Sequence, residues 1–230
     1  EITGSQLSKA IRLHNEGRRL VRDIYEFRKP DPPMISGMEL HKVLVAGSGL
    51  PVEEANALFG NVIRDLEARE IAPVSTGPRI LLDAACVDNS EVIQVIEESG
   101  ANLVVDTMCI GTRDHWPQTD ESTDPIAALA SRYLNDINCP KTYRDNTAGT
   151  FEGDIAARFS DAGAFAKDFQ VDGVILYVYR YCDPFGFEVP ARKAYYASIG
   201  VPLLYLEDQY STGTMGQLKT RIQAFLEMIG

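Results

Sequence analysis

Apolar and polar positions change their spacing along this chain at about residue 78. Before that point the apolar residues recur every three or four positions, which predicts amphipathic helices. The first of these covers residues 4–28 and places its larger apolar side chains on one stripe. The run "KPDPPMI" (29–35) ends it, because proline cannot occupy a helix interior.

Two further helices follow before the change. Ser36, with Glu39 three positions later, forms a capping box that begins the second helix. Pro51 begins the third, which is expected to run to about Glu70. Residues 1–78 are therefore predicted to form a helical segment of three helices.

Beyond residue 78, short apolar runs alternate with amphipathic stretches. The predicted strands cover 79–86, 101–109, 173–182 and 201–208. The predicted helices cover 90–100, 125–134, 154–169, 188–200 and 214–229. Strands joined by helical crossovers pair in parallel. We therefore expect an α/β fold for residues 79–230, with a doubly wound, mainly parallel, four-stranded sheet of the Rossmann or flavodoxin type after the helical segment.

Charge and hydropathy exclude some classes of partner. The 230 residues carry a net charge of −11, which repels nucleic-acid phosphates. No apolar run approaches the roughly 20 residues that span a bilayer, so we expect no membrane partner. Residues 1–29 nevertheless contain more Lys and Arg than Asp and Glu. This stretch is either a solvated helix face with ion pairs or a docking surface for an acidic partner or a polyanionic ligand.

The cysteines point to a reducing compartment. None of the four forms a C-x-x-C pair, which excludes a zinc ribbon and a thioredoxin motif. So few cysteines in a chain of this length are not typical of a secreted disulfide scaffold. A cytoplasmic location with reduced thiols is expected. The four are Cys86, Cys109, Cys139 and Cys182.

Candidate chemistry gathers where the predicted strands end, since ligands of open α/β sheets bind beyond the carboxyl ends of the strands. The polar and sulfur-containing residues at these ends are Asp83, Cys86, Asp106, Cys109, Arg180, Cys182, Asp183, Glu207, Asp208, Tyr210 and Ser211. If all four strands are parallel, these residues share one edge of the sheet.

Cys182 is the most informative of these residues. It leaves a buried strand just before Pro184, on a loop that proline makes rigid. A packed, inert cysteine is one interpretation. The other is an iron–sulfur ligand, which needs a thiolate held with little reorganisation. Arg180 would favour the thiolate by its charge, whereas Asp183 would oppose it.

Other polar groups give weaker signals. The helix start at Ser211 to Gly213 could hold an anion, although many helices begin this way without a ligand. The glycines form no nucleotide-binding fingerprint. His14, His41 and His115 show no metal-ligand spacing, and only His115, beside Trp116, lies at the candidate edge.

Four stretches together resemble the 2-hydroxyacyl-CoA dehydratase and benzoyl-CoA reductase subunit family. They contain "RLHNEGRRLVRDIYEFRKPDPPMISGMEL", "RILLDAACVDNSEVIQVIEESGANLVVDTMCIGTRDHW", "VDGVILYVYRYCDPFGFEVP" and "LYLEDQYSTGTMGQLKTRIQAFLEM". The similarity covers essentially the whole chain. The combination of "YCDPF", "LEDQYS" and "GQLKTRIQAF" is specific, whereas any one of them alone is weak.

The resemblance implies a redox enzyme. Family subunits have two Rossmann-like domains with a [4Fe–4S] cluster held by three cysteines between them, and they pair as heterodimers. An ATP-hydrolysing iron–sulfur activator supplies a low-potential electron, which passes to an acyl-CoA thioester for dehydration or ring reduction. Cys182 matches the carboxyl-terminal cluster ligand, and Cys109 lies in a family motif without an assigned contact to iron. Arg113, Arg180 and the helix start at Ser211 to Gly213 are possible polar lining of the site.

The chain departs from the family in length. It begins at Glu1 without a methionine, and comparison with the family leads us to expect that the amino-terminal α/β domain, which would supply the other two cysteines, is not part of this sequence. We therefore expect a carboxyl-terminal part of a subunit that binds no intact cluster by itself. Two alternatives stay open. One is a non-redox subunit that binds an acyl-CoA or a partner through the loop 111–125 and the basic first helix. The other is a hydrolase or transferase with Cys182 as nucleophile and His115 as base.

Overall fold

The computed structural model describes residues 1–87, 90–209 and 215–230. The helices are α1 Gly4–Glu26, α2 Gly37–Ser48, α3 Val52–Glu67, α4 Glu91–Glu98, α5 Thr112–His115, α6 Pro125–Ser131, α7 Phe151–Asp168, α8 Asp183–Gly186, α9 Val189–Ser198 and α10 Met215–Ile229. A π-helical turn, Arg132–Asp136, continues α6. The strands are β1 Arg79–Ala84, β2 Asn102–Asp106, β3 Gly173–Tyr179 and β4 Leu203–Asp208.

The helix starts follow from local capping chemistry. At α2 the Glu39 amide donates to Ser36 Oγ at 3.0 Å, and the Ser36 amide donates back to the Glu39 carboxylate at 2.9 Å. This confirms the predicted capping box. Pro51 directly precedes α3, as expected, without a capping hydrogen bond from its side chain, and the helix ends at Glu67, before the predicted Glu70.

The sheet is parallel throughout, with the strand order β2-β1-β3-β4. This confirms the predicted doubly wound α/β fold. Helices α4 and α10 cover one face, where Ile93 and Ile222 pack with Ile80. Helices α7 and α9 cover the other face, where Phe159 and Tyr195 belong to the second core cluster. The strand order reverses direction between β1 and β3, so these two strands flank the crevice where such sheets bind ligands.

The helical segment α1–α3 packs on the same side as α7 and α9. Its buried residues Val21, Ile24 and Leu40 share one core cluster with Leu81 and Val104 of the sheet. Burying each such side chain stabilises the fold by about 1.5 to 3 kcal/mol. Helix α2 also contacts β2, so it shields that edge of the sheet. In the described part of the chain, no helix is both long and apolar enough to cross a bilayer.

Three strands end earlier than the apolar pattern predicts, β1 at Ala84, β2 at Asp106 and β3 at Tyr179. After β2 the chain turns, because the Met108 and Thr112 amides donate to the Asp106 carboxylate at 3.0 and 3.2 Å. After β3 the chain enters a left-handed residue, Tyr181, with φ of +67°. The short helices α5 and α8 follow these turns and were not predicted, since four residues carry no apolar period.

Candidate functional site

Cys182 follows the carboxyl end of β3 and directly precedes α8, and its pocket is lined by residues of β3, α8 and β4. Its amide donates to the Tyr179 carbonyl at 3.0 Å, which closes a tight turn through Tyr181. A tyrosine with positive φ is rare, because its Cβ crowds the backbone in the left-handed region. The local backbone strain is therefore concentrated at Tyr181, the residue directly before Cys182.

The thiol lines an open pocket of about 230 Å³. Tyr181 and Phe187 stand at its sides and are 90% and 84% exposed. Asp183 and Glu207 supply carboxylates to the same pocket. The two exposed aromatic side chains make the sides of this pocket apolar, while the two carboxylates make part of its wall acidic.

The floor beneath Cys182 is well packed. The cysteine is half-buried against a small apolar cluster formed by Leu176, Val178, Phe185 and Val189. Three cations lie over the Phe185 ring: Lys141 at 4.7 Å, Arg192 at 5.0 Å and Arg113 at 5.4 Å from its centroid. The thiol thus has a rigid base and an open side, which is the arrangement a preorganised metal ligand requires.

A buried ion pair supports this base. Asp83, in β1, is fully buried and accepts bonds from both Arg192 Nη1 and Tyr196 Oη, the latter at 3.0 Å. Thr107 Oγ1 donates to the same carboxylate at 2.6 Å. Arg192 also reaches Glu188 at 3.2 Å, so one guanidinium joins β1 to the start of α9.

Glu188 extends this network to the surface. Its carboxylate forms ion pairs with Lys141 Nζ at 2.5 Å and with an Arg158 guanidinium nitrogen, in addition to the pair with Arg192. These bonds fasten the start of α9 to α7 and to the loop that precedes α7. Helix α8, which Cys182 precedes, lies directly before α9, so this network is joined to the Cys182 turn through a short stretch of chain.

The stability of the fold should depend on pH, because the buried Asp83 carboxyl must be ionised to form its ion pair. Burial alone would raise the pKa of Asp83, but the Arg192 guanidinium and the Thr107 hydroxyl hold it below the ordinary 3.8. A carboxyl with a lowered folded-state pKa stabilises the fold above its unfolded pKa, and this stabilisation is lost as pH falls through the folded value. Between about pH 6 and pH 3, urea unfolding should show a steeper loss of stability for the wild-type chain than for Asp83→Asn. Equal slopes for the two proteins would contradict this role of Asp83.

The residues predicted to form a polar lining lie only partly near the Cys182 pocket. Arg180 is exposed, and its Nε pairs with Glu207 at 3.0 Å. Arg113 is 4% exposed and donates to the Ala84 carbonyl at 3.1 Å and to Cys109 Sγ at 3.5 Å. Arg113 therefore lies beneath the pocket, behind Phe185. Ser211 to Gly213, like Tyr210, lie outside the described residues.

Three of the strand-end carboxylates are internal. Asp83, Asp106 and Asp208 are each at most 2% exposed. Tyr25 Oη donates to Asp106, and Tyr177 Oη donates to Asp208 at 3.2 Å. All four strands are parallel, so these groups share one edge of the sheet, but these three carboxylates are buried there, because neighbouring hydroxyls, amides and guanidinium groups engage them.

The histidines lie away from Cys182. His115 and His14 line another cavity, together with Cys109, between α1, α3 and the loop after β2. His41 is buried in α2. Cys182 and His115, which the nucleophile alternative requires to lie together, line different pockets.

The basic first helix is less solvated than its composition indicates. Arg18 and Arg28 are 7% and 1% exposed, so they belong to the interior. Lys29 is bound to Glu26 and Asp168, both at 2.9 Å. Much of the local positive charge therefore serves packing within the chain.

The network of hydrogen bonds and ion pairs around Asp83 was not predicted from the sequence. The available signal was an aspartate inside the apolar run "RILLDAAC", since a buried carboxylate requires a cationic partner. The partner, Arg192, lies 109 residues away, so spacing alone could not identify it.

A complete metal site is not formed by the residues that the structure describes. Among them, no group of three His, Cys, Asp or Glu side chains is placed to hold an ion. The Cys182 pocket contributes one sulfur and two carboxylates. A three-thiolate cluster would thus need cysteines from outside this pocket.

The chain matches the family model for the 2-hydroxyglutaryl-CoA dehydratase D-component over residues 1–229. It is 28% identical to an Escherichia coli (strain K12) protein named as a dehydratase subunit, YjiM, and 24% identical to one of the benzoyl-CoA reductase subunits of Thauera aromatica. It is 23% identical to the (R)-phenyllactyl-CoA dehydratase beta subunit of Clostridium sporogenes.

Each alignment covers 100% of this chain and 58% of the relative, so the chain spans less than two thirds of the length of these curated relatives. Both the dehydratases and the reductase are matched along the whole chain, in agreement with the resemblance found in the sequence. The chain belongs to the family of acyl-CoA dehydratase and reductase subunits that the 2-hydroxyglutaryl-CoA dehydratase D-component defines.

Proposed function

We propose that this chain is the carboxyl-terminal part of an acyl-CoA dehydratase or reductase subunit and that Cys182 is one thiolate ligand of its [4Fe–4S] cluster. The observation that carries the proposal is the half-buried thiol beyond the carboxyl end of β3, packed on an apolar floor and beside an open pocket. When bound, such a cluster supplies a low-potential electron for reduction of a thioester.

The residues around Cys182 have supporting roles in this proposal. The turn through Tyr181 and the packing on Phe185 orient the sulfur before any metal arrives. Tyr181 and Phe187, once covered by a second domain, exclude water from the pocket. The ion pair of Arg180 with Glu207 keeps a carboxylate of the pocket neutralised, which lowers the local negative charge that would oppose a thiolate.

The proposal implies several partners. Two further cysteines come from an amino-terminal domain, and the covered pocket lies between that domain and this one. The chain pairs with a second, homologous subunit as a heterodimer, an ATP-dependent iron–sulfur activator delivers the electron, and an acyl-CoA is the substrate. The oxygen sensitivity of such a cluster fits a reducing cytoplasm.

Iron and sulfide analysis tests the proposal. The full-length subunit, purified without air, should contain about four iron atoms and about four sulfides. The 230-residue chain alone, reconstituted under the same conditions, should retain far less iron, because it supplies one matched ligand. A full-length subunit that lacks iron but binds an acyl-CoA would favour the non-redox alternative.

The nucleophile alternative is less well supported by the geometry. A cysteine nucleophile needs a base within hydrogen-bond reach, and His115 lines a different cavity from Cys182. Among the described residues, the pocket offers only the carboxylates of Asp183 and Glu207. If alkylation of Cys182 abolished turnover in an iron-free protein, this alternative would replace the proposal.

Replacing Tyr181 by glycine should separate stability from function. Glycine tolerates φ of +67°, so Tyr181→Gly is expected to raise the free energy of unfolding by about 0.5 to 1 kcal/mol. The same change removes an aromatic wall of the pocket, so the full-length variant should lose iron faster in air. Denaturant unfolding and the rate of iron loss measure the two effects. Tyr143→Gly, at a similarly exposed tyrosine without a positive φ, is the control and should give neither effect.

A further inference from the structure

Helix α6 and the π-helical turn that continues it present an apolar face to solvent. Residues 125–134, "PIAALASRYL", contain one charged side chain, Arg132, and that side chain is 0% exposed. The outward face instead carries Ile126, Tyr133 and Leu134, which are 67%, 53% and 70% exposed. A helix on the surface of a globular protein ordinarily turns its polar face outward. This helix is reversed, and we call its three exposed side chains the α6 stripe.

The buried side of this helix holds the stripe in its orientation. Arg132 Nη2 donates to the Asp114 carbonyl at 2.7 Å and to the Asp114 carboxylate at 3.3 Å. The guanidinium carbon of Arg132 also lies 4.7 Å from the centroid of the Tyr133 ring. These contacts keep the charged side chain inside and leave the apolar side chains outside.

A groove between α1 and α6 extends the stripe. It has a volume of about 210 Å³, and Tyr133 forms part of its wall. His14, Arg18 and Thr119 supply its polar part. The stripe and the groove form one largely apolar surface, and surfaces of this kind are characteristic of contacts between protein segments. The remaining apolar side chains of the groove are Leu7, Ala10, Ile11 and Leu129.

The start of the chain lies beside this surface. The amino end of α1 is close to α6, since a Cβ on Gly4 would lie 4.0 Å from Pro125 Cγ. Ile2 is largely exposed at the same place. In a longer subunit, a segment that precedes Glu1 therefore leaves the chain next to the α6 stripe.

The other end of the stripe leads toward the Cys182 pocket. Beyond Leu134 the chain enters the loop before α7, in which Tyr143 is largely exposed. In the same loop, Lys141 Nζ donates to the Pro184 carbonyl of α8. The stripe and this loop thus connect the start of the chain with the short helix that follows Cys182.

We propose that the amino-terminal domain of the full-length subunit docks on the α6 stripe and the adjoining groove. This inference rests on the proposed function, which supplies that domain and puts it over the Cys182 pocket. A domain that is joined to Glu1 and closes this pocket lies over the surface between the two, which the stripe occupies. The alignments cover 58% of the length of the relatives, which leaves enough chain for such a domain.

Hydroxyl-radical footprinting of the wild-type protein tests this contact without any variant. Radicals oxidise exposed Ile, Leu, Met and Tyr side chains, and mass spectrometry of the peptides gives the oxidation rate of each. The rates of Ile126, Tyr133 and Leu134 should fall several-fold in the full-length subunit relative to the 230-residue chain. Unchanged rates of these three side chains in the full-length subunit would overturn the proposal.

Two exposed side chains far from the stripe are the internal controls. Ile71 and Met228 are 82% and 69% exposed. Both lie toward the amino edge of the sheet: Ile71 precedes β1, and Met228 lies in the last turn of α10, where a Cβ on Gly173 of β3 would meet Ile229 Cδ1 at 2.8 Å. Their oxidation rates should be the same in the two proteins. A uniform fall that includes these controls would count against docking at the stripe.

The same experiment identifies other occupants of the stripe. Protection that appears in the 230-residue chain as its concentration rises would assign the stripe to a second copy. Protection of the full-length subunit that appears only after addition of a second, homologous subunit would assign it to that subunit. Either result would overturn the proposal.

Iron analysis of the same samples separates this inference from the cluster proposal. A full-length subunit without iron but with a protected stripe would contradict the cluster and support the docking surface. A subunit that contains the cluster but whose stripe is oxidised as fast as in the 230-residue chain would support the cluster and contradict the docking surface.

A charged substitution in the stripe provides a second test. In the full-length subunit, Leu134→Glu should return the oxidation rates of Ile126 and Tyr133 to those of the 230-residue chain, because burying a carboxylate in an apolar contact is costly. Met228→Glu, the matched control at a similarly exposed position, should leave both side chains protected. Protection of Ile126 and Tyr133 that persists in Leu134→Glu would contradict the proposed contact.

Discussion

Replacing Arg192 by methionine is expected to lower the free energy of unfolding by about 3 to 5 kcal/mol. The reason is that Asp83 is 0% exposed and would lose its main cationic partner, so the buried carboxyl must either stay ionised without compensation or take up a proton. Methionine fills a similar volume, so the loss reports the unpaired carboxylate and not a cavity. Urea unfolding of the 230-residue chain near neutral pH measures the effect.

A second variant separates the ion pair from packing. In Asp83→Leu combined with Arg192→Met, the unpaired charge is absent, and replacement of a buried ion pair by apolar residues is often nearly neutral. The double variant should therefore be more stable than Arg192→Met alone. If Arg192→Met cost less than about 1 kcal/mol, or if the double variant were the less stable of the two, the buried pair would not have the role assigned to it.

Replacing Cys182 by serine is expected to remove most of the iron from the full-length subunit. Turnover of the assembled enzyme should fall by more than about a hundredfold, since changes merely next to metal ligands already cost about 10- to 100-fold. Serine keeps the size and the turn of the native residue, so the packing on Phe185 should persist. Iron analysis and activity under anaerobic conditions measure the two losses.

Cys139→Ser is the matched control for this prediction. Cys139 is also a half-buried free cysteine, but it lies in the loop before α7 and not in the Cys182 pocket. Its variant should retain both iron and activity. Full iron retention in Cys182→Ser would assign the ligand to another residue.

The elements of the fold that were predictable are those with a repeating apolar pattern or a local cap. The capping box at Ser36 and Glu39 involves residues three positions apart, so the sequence alone contains it. The four apolar runs with helices between them predicted a parallel sheet, because only a crossover connection of that length returns the chain to the same direction. Element ends were less predictable, since the turns after Asp106 and Tyr179 depend on individual hydrogen bonds and on the φ of Tyr181.

The candidate site was predictable in its location but not in its internal arrangement. The parallel topology places Cys182, which follows β3, at the carboxyl edge of the sheet, where ligands of such folds bind. Whether a carboxylate at that edge faces the pocket or the core depends on distant partners. Asp83 accepts hydrogen bonds from Arg192 and Tyr196, which lie more than 100 residues later in the chain, whereas Glu207 lines the pocket. Contacts with residues distant in sequence decide whether such a carboxylate lies in the core or lines the pocket, and the spacing of residues along the chain does not reveal these contacts.

Anomalous diffraction at the iron absorption edge, from crystals of the full-length subunit grown without air, tests the assignment of Cys182 most directly. The account predicts an anomalous peak within bonding distance of Cys182 Sγ, in the pocket flanked by Tyr181 and Phe187. An iron peak bound by other residues, with the Cys182 sulfur away from it, would contradict the account.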